Sequence, residues 1–224
     1  NESEVEGFAG YYLRNQGCKV PMPIRVASGK HSAKPNYVEN TSKLEGQALC
    51  VLDIAASVDG YAVRATRTIA VGGNFPSELG AIYSKLLSIH KKNLEGCKVG
   101  ASPIRLNEAA AKSFDSLHKQ QIFSTNAIGK KRVLKISNFR LVGIGLEEKG
   151  LPGKMKAGMV IEVETALFLP PLRGVTAKWQ GNGFVLRDYV YITELGSEVL
   201  TKGIPMEKEA LSTGVNATNK TPID

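Results

Sequence analysis

The stretch VLDIAASVDGYAVRATRT, residues 51–68, contains two strand-like apolar runs joined by Asp59-Gly60. Asp-Gly between two such runs is a strong signal for a two-residue hairpin turn. We therefore predict a β-hairpin with strands at 48–56 and 61–71. Asp53 is a carboxylate inside the first run, and burying it is costly unless something pairs with it. Its simplest interpretation is a strand-end aspartate that bonds to the backbone.

Segments with helical periodicity flank this hairpin. A first helix is predicted over residues 2–16, where one apolar face consists of Val5, Phe8, Ala9, Tyr12 and Leu13. A second helix is predicted from Pro76 to Gly96, with Leu79, Ile82, Tyr83, Leu86 and Leu87 inside, and a third over 104–120. Strands are predicted at 132–142, 159–169, 175–179 and 184–193. The order of helix, strands, two helices and strands indicates an α+β fold.

Length and composition are those of a globular protein. The 224 residues are 42% hydrophobic and 22% charged. The longest apolar runs are far shorter than the ~20 residues that a membrane-spanning helix needs, so no membrane segment is predicted. We expect one domain over residues 1–206, followed by a polar tail at 207–224. Because the chain opens without Met, a removed transit peptide and a fragment of a larger protein both stay open.

The charge balance is positive, with 29 Lys and Arg against 21 Asp and Glu and a net charge of +8. This excess is compatible with anionic partners such as nucleic acid. The densest basic run consists of Lys130, Lys131 and Arg132, followed by Lys135 and Arg140. It is interpreted either as a solvated strand edge or as an anion-binding patch.

Other signals of chemistry are weak. The three cysteines lack the spacing of a disulfide framework or a zinc site, which favours a reducing, intracellular compartment. His31, His90 and His118 are isolated, and we expect them on the surface. Trp179 is either an exposed anchor for a partner or part of the core. No phosphate-binding or nucleophile motif occurs, and no cofactor is predicted.

Three later motifs carry a resemblance to a known family. They are Gly143-Ile144-Gly145-Leu146-Glu147, Gly158-Met159-Val160 and the stretch 191–201 that ends in Glu198-Val199-Leu200-Thr201. Together with the hairpin they resemble the pita-bread metallopeptidases, which include aminopeptidase P, prolidase and methionine aminopeptidase. The resemblance covers residues 2–201. It implies a curved, mostly antiparallel sheet with helices on its outer face.

The resemblance also implies a five-ligand, two-metal site. Asp53 and Glu164 match two of its carboxylates. The other three positions are occupied by Arg64, Val142 and Arg187, where the resemblance implies Asp, His and Glu. Two substrate-side histidines would fall on Asn36 and Lys149. Arg stays protonated and repels a divalent cation, so we predict no bound metal, no catalytic residue and a neutral cluster of Asp53, Glu164, Arg64 and Arg187.

The function expected from these replacements is binding. The chain is predicted not to be an enzyme but a degenerate metallopeptidase that serves as a binding module in a larger assembly. The nearest resemblance among non-catalytic relatives is to the peptidase-like domain of the large FACT histone chaperone subunit, which implies histones as partners in the nucleus. An alternative is a relative associated with ribosomal proteins or RNA, in the cytosol or an organelle. An active metalloaminopeptidase is disfavoured by the missing ligands.

Overall fold

The computed structural model describes residues 1–115, 122, 137–143, 147–150, 153–171 and 175–214. Its helices are α1 (Glu2–Asn15), α2 (Ser77–Gly96), α3 (Pro103–Asp115) and α4 (Lys208–Gly214). Its strands are β1 (Arg25–Ser28), β2 (Leu49–Val58), β3 (Tyr61–Ala70), β4 (Ser137–Gly143), β5 (Glu147–Gly150), β6 (Val160–Leu169), β7 (Asn182–Ile192) and β8 (Ser197–Val199).

The strands described form one sheet with the order β1-β2-β3-β7-β6-β4-β5, and β8 pairs with β7. Neighbouring strands run antiparallel. The predicted hairpin is confirmed: Val58 pairs with Tyr61, and both Asp59 (φ 52°) and Gly60 (φ 85°) have the positive φ of a type I′ turn. The α+β prediction is confirmed by this sheet and its helices.

Helix α2 covers one face of the sheet. Its buried side chains, such as Ile82 and Leu86, join one core cluster with Leu167 of β6 and Leu186 of β7. Burying a side chain of this size contributes about 1.5–3 kcal/mol. Since side chains alternate across a strand, the neighbours of Leu167 and Leu186 point to the opposite face, away from α2. That opposite face carries the candidate site.

Helix α1 packs differently from the prediction. Phe8 is 70% exposed and Tyr12 is 54% exposed, so the expected apolar face is only partly right. The contacting side holds small residues instead, and a Cβ added at Gly10 would lie 3.6 Å from Ile24. Buried Glu2 anchors this side, because its carboxylate accepts hydrogen bonds from Ser28, Tyr37 and Ser42. Helix α1 is therefore held by the Glu2 hydrogen bonds and by the close approach of its small residues, and not by Phe8 and Tyr12.

The predicted strand at 175–179 needs correction. The segment 175–179 is not a strand: Ala177–Trp179 forms a 3-10 turn, in which Trp179 N–H donates to Thr176 O at 2.9 Å. Trp179 is only 4% exposed and joins the α2 core, so it is not an exposed anchor. The third helix is described only as far as Asp115. The end expected at residue 120 lies outside the described residues.

Part of the segment predicted as a polar tail is helical. Helix α4 occupies Lys208–Gly214, and Leu211 packs against the α2 core. Residues 215–224 lie outside the described range, so the division at residue 206 stays a prediction. In the described part of the chain, every helix is too short or too polar to cross a membrane.

Candidate functional site

Five side chains form a row across the face of the sheet that lies away from α2. The strand register pairs Arg25 with Asp53, Asp53 with Thr66, Thr66 with Arg187, and Arg187 with Glu164. Directly opposite residues of antiparallel strands place their side chains on one face, with Cβ atoms about 4.5–5.5 Å apart. Five neighbouring strands therefore bring these residues together, and we call them the cross-strand row.

Asp53 lies at the centre of the polar contacts. It is 3% exposed, and its Oδ1 accepts hydrogen bonds from Arg64 Nε at 2.7 Å and Thr66 Oγ1 at 2.9 Å. Arg64 Nη2 donates to Oδ2, so the Arg64 contact is bidentate. Arg187 Nη1 reaches both Asp53 oxygens at 3.0 and 3.1 Å. The carboxylate is thus enclosed by two guanidinium groups and a hydroxyl.

Arg187 connects Asp53 to two more carboxylates. Its Nη2 donates to Glu164, and its Nε lies 3.4 Å from Glu162 Oε1. Glu162 also accepts a hydrogen bond from Tyr189 at 3.1 Å. Glu162 lies two residues before Glu164 and therefore on the same face of β6. We call the cross-strand row together with Arg64 and Glu162 the arginine–carboxylate network.

The charges of the network balance. Among the described residues it contains three arginines and three carboxylates. Burial by itself would raise the pKa of Asp53, but the Arg64 hydrogen bond and the Arg187 charge outweigh burial and lower that pKa. Burial by itself would lower the pKa of Arg187. The charges of Glu164, Asp53 and Glu162 outweigh burial, so the pKa of Arg187 is raised. The ionised forms therefore stabilise each other.

Arg25 closes one end of the row. It is 4% exposed and donates to Lys34 O at 2.7 Å, while its buried Nε has no hydrogen-bond partner among the described residues. Burial and the charges of Arg187 and Arg64 lower its pKa, although Asp53 opposes them. Glu164, at the other end of the row, has a side chain that is 13% exposed, and the side chain of Arg64 beside Asp53 is 24% exposed. Solvent therefore reaches the network through these two side chains.

The network does not fit a pair of divalent cations. In such a centre several carboxylates and imidazoles face the metals, whereas here Arg187 joins Asp53 to Glu164 and Arg64 contacts Asp53. Within the described ranges, no group of three or more His, Cys, Asp or Glu side chains could hold a metal. Val142 lies on β4, on the far side of β6 from β7. That these positions are a degenerate metal site remains a prediction.

A second ionic cluster lies on the α2 side of β7 and corrects an expectation. Asp188 is fully buried and accepts bonds from Arg67 Nη2 at 2.7 Å and from Thr201. His90 was expected on the surface, but it is fully buried, with Nε2 2.9 Å from Asp188. The signal was present in the sequence, since His90 follows Leu86 and Leu87 at helical spacing.

The basic run lies mostly outside the described residues. The part outside includes Lys130, Lys131, Arg132 and Lys135, so the anion-binding interpretation stays a prediction. Arg140 is placed on β4, where its Cα pairs with Glu162 and Gly150. Lys149, which stands where the resemblance implies a substrate-side histidine, lies on β5.

The chain matches the model of metallopeptidase family M24 over residues 1–194. The Xaa-Pro dipeptidase of Pyrococcus furiosus is 30% identical over 210 residues, which cover 90% of this chain and 53% of that protein. The Xaa-Pro aminopeptidase of Escherichia coli is 26% identical over 228 residues, covering 94% of this chain and 51% of that protein. Mitochondrial intermediate cleaving peptidase 55 of Arabidopsis thaliana is 26% identical over 195 residues, covering 85% and 39%.

The fold agrees with these matches. A solved structure of an aspartate-to-alanine variant of Escherichia coli aminopeptidase P superposes with a TM-score of 0.84 and 25% identity, covering 95% of this chain and 51% of that one. This likeness confirms the predicted pita-bread fold. The chain spans about half the length of these relatives, or less.

The names of the relatives correct one prediction. The chain was expected not to be an enzyme, yet the three relatives named above are peptidases by name and match 85–94% of it. The prediction is therefore wrong. Its basis was three replaced residues, whereas the relatives match along almost the whole chain. The chain belongs to metallopeptidase family M24.

Proposed function

We propose that the chain binds peptides of the Xaa-Pro class at Arg64 and Glu164, the partly exposed side chains of the arginine–carboxylate network. The observation that carries this proposal is the position of the network, on the face of the sheet away from α2, where Arg64 and Glu164 are partly exposed to solvent. Two relatives named for Xaa-Pro peptides match 90% and 94% of the chain and support the choice of ligand.

The partly exposed side chains of the network carry charges of both signs. Arg64 presents a guanidinium that is 24% exposed, and Glu164 a carboxylate that is 13% exposed. A short peptide carries an amino terminus and a carboxyl terminus, which are complementary to these two groups. A hydrogen bond to a charged partner contributes about 1.5–3 kcal/mol. Arg64 is therefore the side chain whose loss we expect to weaken peptide binding most directly.

The test measures binding and hydrolysis in the same samples. Xaa-Pro dipeptides and longer Xaa-Pro peptides are titrated calorimetrically in EDTA and in Mn²⁺, and release of the first residue is followed by chromatography. We expect saturable binding that Arg64→Ala weakens by about tenfold or more. The control is Arg105→Ala, because Arg105 is an exposed arginine on α3.

Each outcome assigns a role. Binding followed by cleavage gives this chain the reaction for which the two relatives are named. Binding without cleavage assigns peptide recognition alone. Absence of binding, or equal weakening by Arg105→Ala, contradicts the proposal.

A second candidate function rests on the net charge of +8. We infer that an anionic partner such as ribosomal RNA suits this charge better than histones, which are themselves basic. Association with ribosomal particles and association with histones can be separated by parallel pull-downs over a salt series. RNA binding through phosphates weakens steeply as salt rises. Retention of nucleosomes but not of ribosomal particles would contradict the RNA candidate.

A further inference from the structure

We infer that Arg64 and Arg187 stand in the place of a pair of divalent cations, so that the native site is closed to such ions. The inference concerns metal binding alone and holds whether or not peptides bind at this face. It starts from a disagreement: the family is one of metallopeptidases, but the residues of the network do not fit a two-metal centre.

The contacts show what the arginines replace. A metal pair between carboxylates supplies positive charge and fixes their geometry. Arg187 does both for three carboxylates at once, because it contacts Asp53, Glu162 and Glu164. Arg64 adds a bidentate contact at the solvent side of Asp53. Planar guanidinium groups suit such paired contacts with carboxylates.

The charge balance explains why an added cation is excluded. With three arginines and three carboxylates, the described network is already neutral. An incoming divalent ion would face fixed guanidinium charges at contact distance, and Arg does not lose its proton at ordinary pH. It would also have to displace Arg187, which is 5% exposed and bonded at both Nη atoms.

Exchanging both arginines for carboxylates should reverse this balance. The double variant Arg64→Asp/Arg187→Glu would leave Arg25 as the single cation of the described network beside five carboxylates. Buried carboxylates that lack counter-charges are strongly destabilising. A divalent cation would supply the missing charge, so this variant should need metal to reach full stability.

The experiment compares three proteins after dialysis with Mn²⁺ or Zn²⁺ and desalting. Bound metal is measured by inductively coupled plasma mass spectrometry, and melting temperature is measured with metal and with EDTA. We expect the native chain to retain no stoichiometric metal and to melt at the same temperature in both conditions. The double variant should retain metal and melt about 5 °C higher with it.

The matched control is Arg64→Lys/Arg187→Lys, which keeps both positive charges and should, like the native chain, retain no stoichiometric metal and melt at the same temperature with metal and with EDTA. If the double variant does not fold in EDTA, it is refolded from urea with and without Mn²⁺, and recovery only with Mn²⁺ supports the inference. Stoichiometric metal in the native chain would overturn it. So would a double variant that neither binds metal nor gains stability from it.

Discussion

Arg187 and Asp188 are consecutive residues of β7, and each lies at the centre of an ionic cluster on opposite faces of the sheet. Arg187 faces Asp53 and the carboxylates of β6, whereas Asp188 faces Arg67 and His90 under α2. The alternation of side chains along a strand produces this division. Two consecutive residues therefore link the arginine–carboxylate network on one face of the sheet to the Asp188 cluster under α2 on the other.

At the residue scale, we predict a large effect of replacing Arg187. Arg187→Leu leaves Asp53, Glu162 and Glu164 without their shared cation, and we expect a loss of about 3–5 kcal/mol in the free energy of unfolding. Arg187→Lys should lose less, because the charge remains while the paired contacts are lost. Urea unfolding measures both. Equal losses in the two variants would show that charge is not what Arg187 contributes.

His90 gives a prediction about pH. Burial lowers the pKa of His90, although the hydrogen bond and charge of Asp188 act to raise it. The unfolded chain therefore binds a proton at higher pH than the folded chain. The stability that neutral His90 contributes to the folded chain is complete above the unfolded pKa of about 6.5. It is lost as pH falls below that value, by up to about 1.4 kcal/mol per pH unit.

This prediction is checked by urea unfolding at several pH values between 7.5 and 5. The native chain should lose stability across this range, and His90→Gln should show a smaller slope. The two slopes are compared within the same buffer series, since His31 and His118 are present in both proteins. Identical slopes would contradict the assignment to His90.

The sequence predicted some members of the network and not others. Asp53, Arg64, Glu164 and Arg187 were named from motif positions, and the structure brings them together. Arg25 was missed because alternation does not give the register between β1 and β2. Glu162 could have been found, since it shares a face with Glu164 at a spacing of two residues.

At the scale of elements, β7 meets the loop after β1 at Gly183. A Cβ at Gly183 would lie 1.9 Å from Ser32 O, while Gly183 N–H donates to Ser32 Oγ at 2.9 Å. Backbone atoms cannot move aside as a side chain can. We predict that Gly183→Ala lowers the free energy of unfolding by about 2–4 kcal/mol, because the strand and the loop must separate.

The control for this prediction is Gly7→Ala in α1. An added Cβ at Gly7 meets nothing within 4 Å, so Ala should stabilise the helix by about 1 kcal/mol. Thermal unfolding of both variants gives the comparison. Equal or opposite effects would show that the close approach at Gly183 is not a constraint on packing.

Elements were predictable where local chemistry decides them. The β2–β3 hairpin follows from Asp59-Gly60, which supplies the positive φ values that the turn needs. The packing of α1 was not predictable from periodicity alone. Its aromatic residues are exposed, and the contact is made through Glu2 and small residues whose partners, such as Tyr37, are distant in sequence.

At the scale of the whole molecule, the agreement with the family lies in the fold. The fold matches aminopeptidase P over 95% of the chain, because the order of strands and helices is encoded along its full length. A site consists of a few side chains, which a fold-level match does not test. Fold and site therefore have to be tested separately.

The most direct test of the arginine–carboxylate network is anomalous diffraction from crystals of the native chain grown with Mn²⁺. Data collected at the manganese absorption edge locate bound ions independently of any model of the side chains. We predict no anomalous peak beside Asp53 and Glu164, with density for Arg187 between the two carboxylates and for Arg64 against Asp53. Two peaks about 3.5–4 Å apart at that position, with both arginines turned away, would contradict it.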